Sequence, residues 1–155
     1  MKRLAGGLAA LVVGFLANGF AQEQPKDKTE LEGTWQIISH NVEGFECTEE
    51  DLKAMPVQRL VFRGNKLLSL DKDGKVKFET TFKVYPKRVP PAIDIIGQDL
   101  VDPTGIYVSE GIYQLQGDTL ILCRQLGPGA QRPKDFNAVL GSRLEVTTYK
   151  RVQEK

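Results

Sequence analysis

The chain has 155 residues, with 21 Lys and Arg against 20 Asp and Glu, for a formal net charge of +1. A balance so near neutral gives no electrostatic footprint for nucleic acid, and no block of like charge suits an anionic membrane surface. The length suffices for one domain with its own core.

The first residues read as an address. Lys2 and Arg3 precede an uncharged apolar run, Leu4 to Leu16, and Gly19-Phe20-Ala21 offers small residues at the −3 and −1 positions of a cleavage site. The run is shorter than the roughly 20 residues of a stable membrane-spanning helix, and no cysteine follows it for a lipid anchor. Residues 1–21 are therefore expected to be a signal peptide. The protein is expected to be exported, periplasmic or extracellular, with no membrane span after cleavage. Removing a leader with two cations and no acid leaves 134 residues and takes the net charge from +1 to −1. Residues 22–30 are polar and contain Pro25, a flexible spacer before a single domain over 31–152.

The first strand runs from Trp35 to Val42, with apolar residues on both parities. Thr48-Glu49-Glu50-Asp51 then starts a short helix: Thr48 caps, Asp51 reaches back, and the acids suit the positive end of the dipole. Pro56 stops it. The acids lack the spaced oxygen ligands of a calcium loop.

Strands follow at short intervals. Gln58, Leu60 and Phe62 alternate with Arg59, Val61 and Arg63, Gly64-Asn65 turns into Lys66 to Leu70, and Asp71-Lys72-Asp73-Gly74 turns again. Val76, Phe78, Thr80, Phe82 and Val84 share one parity opposite Lys75, Lys77, Glu79, Thr81 and Lys83, the pattern of a half-exposed antiparallel strand. Pro86, Pro90 and Pro91 precede a shorter strand over 92–96. Residues 97–105 read as a loop, with Asp102-Pro103 as its turn. Residues 111–115 and 119–123 form a hairpin around Gln116-Gly117-Asp118. A second loop, 127–136, leads to the last strand, Arg143 to Arg151, with Leu144, Val146 and Thr148 on the apolar parity.

About eight strands, one short helix after the first strand and no βαβ pattern indicate an all-β fold. An antiparallel up-and-down barrel is favoured over a sandwich, because closure removes unpaired edges.

Four stretches carry a resemblance: LEGTWQIIS (31–39), EEDLKAM (49–55), GIYQLQGDTLILC (111–123) and RPKDF (132–136). They lie in order over nearly the whole domain. The chain resembles an uncharacterised lipocalin-like family abundant in planctomycete bacteria, and Gly33-Thr34-Trp35 is similar to the start of the first strand across the lipocalin and calycin superfamily. The resemblance implies a lipocalin-like barrel and brings no activity with it. It also implies that Trp35, beside Gly33, closes the barrel floor against a cation from the last strand, Lys150 or Arg151.

Chemistry-bearing residues are few. His40 is the only histidine, and simple alternation puts it opposite Trp35, on the solvated face. No G-x-S-x-G elbow, zinc-ligand spacing or phosphate-cradling loop occurs. Paired carboxylates for glycoside hydrolysis leave no spacing signature. The chain is read as a non-enzyme without cofactor or metal. Cys47 and Cys123 have neither a CxxC spacing nor a nearby histidine; an exported compartment permits a disulfide between them, and two inert thiols are the alternative. Arg132 has two readings as well: a rim contact for a ligand carboxylate, or a loop clamp with Phe136 plugging the barrel mouth.

Two functions remain. One is a carrier that binds a small lipophilic molecule inside the barrel, lined by Leu60, Phe62, Phe78, Phe82, Ile95, Tyr113, Leu122 and Val146, with Thr80, Thr148 and Gly111 leaving room and Tyr113 and Arg132 orienting the ligand. The other is an envelope structural or protein-interaction module with a filled barrel. Barrels of this size take both forms.

Overall fold

The computed structural model describes residues 30–99, 104–127 and 129–153. The expected signal peptide, the expected spacer up to residue 29 and the expected Asp102-Pro103 turn lie outside the described residues. Nine strands and one helix are described: β1 Gly33–Val42, β2 Phe45–Glu46, α1 Glu49–Ala54, β3 Arg59–Arg63, β4 Lys66–Leu70, β5 Val76–Tyr85, β6 Ala92–Gln98, β7 Ile106–Gln116, β8 Thr119–Gln125 and β9 Leu144–Arg151. Each long strand pairs antiparallel with the next, and β9 returns to pair with β1. The result is a closed eight-stranded up-and-down barrel, with β2 a short extra strand hairpinned to β1.

Local chemistry explains the elements. Thr48 Oγ1 accepts from the Asp51 N–H while the Asp51 carboxylate accepts from the Thr48 N–H, a complete capping box. Asp71 Oδ1 accepts from the N–H groups of Asp73 and Lys75, fixing the turn between β4 and β5. β2 carries almost no signal in the sequence. It depends on Glu43 and Gly44, both at positive φ, and on Asn41 Oδ1 accepting from the Gly44 N–H.

A single irregularity decides what β1 shows to the interior. Pairing with β9 slips between Ile37 and Ser39, which bulges Ile38 out to 50% exposure. A bulge inserts one residue and reverses the facing of everything beyond it. Trp35, Ile37 and then His40 are therefore all buried, and His40 is not on the solvated face that plain alternation gave it. β9 also turns the face opposite to the one expected. Thr147 and Tyr149 are buried inward, whereas Val146 and Thr148 are only half-buried and point away.

One end of the barrel is solid. Leu31, Trp35, Phe62, Phe82, Tyr113 and Leu120 pack there, with the Phe62 and Phe82 rings edge to face at 4.9 Å. The Arg151 guanidinium lies 4.1 Å from the centre of the Trp35 ring. Of the two cations considered for this contact, Lys150 is the wrong one, because it sits on the opposite parity and is exposed.

The long β8–β9 connection folds against the outside of the barrel. Arg132 donates to the carbonyls of Gly111 at 2.6 Å and Ile93 at 3.2 Å, and pairs with Asp94 and Glu110. Pro133 is buried, and so are the outward-facing Ile112 and Cys123. Arg132 thus clamps the connection to β6 and β7, and the stretch with Phe136 does not plug the mouth.

Candidate functional site

The other end of the barrel holds a cavity of about 680 Å³. Its lining divides by strand. Leu60 on β3, Leu67 on β4, Phe78 on β5 and Ile95 on β6 make an apolar side, with Met55 and Val57 from the segment after α1. Ser109 on β7, Arg124 on β8, Thr147 and Glu145 on β9, and His40 on β1 make a polar side.

The polar side is a connected network. His40 Nδ1 lies 2.8 Å from Thr147 Oγ1, and its Nε2 lies 3.9 Å from Glu145 Oε2, a Coulombic rather than a hydrogen-bonding distance. The other Glu145 oxygen is ion-paired with the Arg124 guanidinium. Gly111 makes this pairing possible. A Cβ there would stand 3.1 Å from Arg124 Cγ and 3.0 Å from the Cys123 carbonyl, so the arginine stem can lie flat across β7 only because position 111 has no side chain. Gly111 is therefore occupied space and adds no room to the cavity. Tyr149 borders the same network, and burial pushes its phenol up to about 12.

The residues expected to contact a ligand separate into three groups. Leu60, Leu122 and Ile95 line the cavity, and Phe78 lines it near the mouth at 46% exposure. Phe62, Phe82 and Tyr113 face inward but belong to the packed core, at 4% exposure or less, and do not line the cavity. Arg132 and Val146 are outside. The two cysteines are free thiols. Cys47 is half-buried, and Cys123 lies under the β8–β9 connection, its Sγ 3.5 Å from the Asp135 carbonyl.

Comparison with protein-family models, curated proteins and solved structures finds no match. The site must be read from its own chemistry.

Sequence reasoning missed His40, Ser109, Arg124, Glu145 and Thr147 as cavity residues. The bulge at Ile38 hides His40. Glu145 looks like a surface acid until Arg124 is seen beside it. Ser109 lies in a stretch left without a strand, although β7 begins at Ile106. Among the described residues, no group of three His, Cys, Asp or Glu side chains is placed to hold a metal ion.

Proposed function

We propose that the protein is an exported, lipocalin-like carrier that binds one small, mainly apolar molecule in the open half of its barrel. The observation that carries this reading is the 680 Å³ cavity with its apolar side of Leu60, Leu67, Phe78 and Ile95. That volume falls within the roughly 300–1,000 Å³ of small-molecule sites. Burial against such a wall is worth about 25 cal/mol per Å² before association costs. The filled-barrel alternative draws on the solid end alone. Support for the lipocalin-like reading comes from Gly33-Thr34-Trp35 and from Arg151 over the Trp35 ring. The export reading draws on residues 1–21, and N-terminal sequencing of secreted protein is expected to begin near Gln22.

Titration with Nile red, a neutral apolar dye, tests the binding. Wild-type protein is expected to saturate at one dye per chain. Thr80→Trp, which projects an indole into the cavity from a half-exposed position, should abolish binding without loss of fold, whereas Lys83→Asp on the outer face should not change it. Absence of saturable binding by the wild type would leave the interaction module as the better reading.

A further inference from the structure

His40, Ser109 and Thr147 are the buried polar residues of the described chain, and all three line this one cavity. Burying a polar group is costly unless it is partnered, so three in one place are a feature a purely apolar container would not need. With them stand Arg124 and Glu145, a cation and an anion already paired to each other. The remaining charged residues of the lining are Lys77, Glu79 and Asp99, and Glu79 is paired with Lys66. The polar side therefore offers several hydrogen-bonding groups around one ion pair, Arg124 with Glu145, whose two charges cancel.

Resting on the carrier reading above, we propose that the cavity selects a neutral amphiphile: an aliphatic chain with a hydroxyl or carbonyl head, in preference to the carboxylate or amine of the same chain length. The chain lies against Leu60, Leu67, Phe78 and Ile95. The head reaches the His40, Ser109, Thr147, Arg124 and Glu145 side, where a hydroxyl can donate to the Glu145 carboxylate and accept from Arg124 or Ser109. A carboxylate head would bring a second anion beside Glu145, and an ammonium a second cation beside Arg124. Either would bury an unmatched charge beside an ion pair whose charges already cancel.

Competition against bound Nile red at neutral pH tests this with decanol, decanoate and decylamine. The wild type is expected to prefer decanol over both ions by roughly tenfold or more. Glu145→Gln leaves Arg124 uncompensated and should move the preference toward decanoate. Arg124→Gln leaves Glu145 uncompensated and should move it toward decylamine. Opposite shifts from two neutralising substitutions distinguish charge matching from a general loosening of the wall, which would weaken all three ligands together. Saturable dye binding with decanoate or decylamine equal to decanol in the wild type overturns the proposal and leaves the carrier reading standing. The same holds if both variants change the three ligands in parallel. No saturable dye binding overturns both.

Discussion

Arg151 closes the barrel over Trp35. Its guanidinium lies 4.1 Å from the centre of the indole ring, donates to the carbonyls of Glu32 and Glu30 at 2.5 Å each, and pairs with Asp118 at 3.3 Å. The indole N–H donates to the Leu31 carbonyl at 2.8 Å, so one side-chain pair fastens the start of β1, the end of β9 and the β7–β8 turn. Trp35→Ala empties a site with no exposure and is expected to cost about 3–5 kcal/mol in chemical denaturation. A double-mutant cycle between Trp35→Leu and Arg151→Met should return a coupling of roughly 0.5–2 kcal/mol. A loss below about 1 kcal/mol for Trp35→Ala would make the tryptophan peripheral.

Gly33 belongs to the same arrangement. Its φ of +115° is one that side chains rarely adopt, and a Cβ would stand 3.2 Å from Arg151 Nη1. Gly33→Ala is therefore expected to destabilise by about 1–3 kcal/mol. Combined with Arg151→Met, part of that cost should disappear, because the clash is relieved while the backbone strain persists.

Arg132 guards a thiol. Cys123 is fully buried beneath the connection that Arg132 ties to β6 and β7, and burial pushes its thiol up to about 12. In native protein a maleimide reagent should modify Cys47 and leave Cys123 intact. Arg132→Ala should expose Cys123 to labelling while the barrel's circular dichroism is retained. Equal labelling of both cysteines in the wild type would contradict the clamp.

Much of the architecture is legible in the sequence, because antiparallel meanders put their rules into local sequence. The alternation from Val76 to Val84, the Asp71–Gly74 turn and the Thr48 cap each act over a few residues. The site was far less readable. Ile38 bulges because of its pairing with β9, more than a hundred residues away, and that bulge alone turns His40 inward. On β9, hydrophobicity favoured Val146, but Glu145 can face inward because Arg124 neutralises it. Arg132 resembles a ligand contact in sequence because its partners, Asp94, Glu110 and two backbone carbonyls, are dispersed along the chain. Even β5, the clearest strand, keeps its facing but not its burial: Phe78 points to the cavity yet is nearly half exposed.

Alkaline pH should unfold the barrel. Burial raises Tyr149 from 10.0 to about 12 and Cys123 from 9.0 to about 12. In both, the fold favours the neutral, protonated form. Their contribution is complete below the unfolded values and is lost as pH climbs through them toward about 12. The thermal midpoint is expected to hold up to about pH 8.5 and then to fall. Tyr149→Phe should make the fall shallower. A midpoint that rises across that range would reverse the sign and contradict the burial of both groups.

The central claim is that a ligand occupies the open half of the barrel, and chemical-shift mapping by NMR tests it most directly. Decanol added to labelled protein should shift the amides of His40, Thr80, Ser109 and Thr147, residues far apart in sequence that share one cavity. The amides of Gln131 and Lys134, in the connection on the outside, should remain still. Shifts confined to the exposed Ile106, Val139 and Leu140, or no shifts at all, would contradict it.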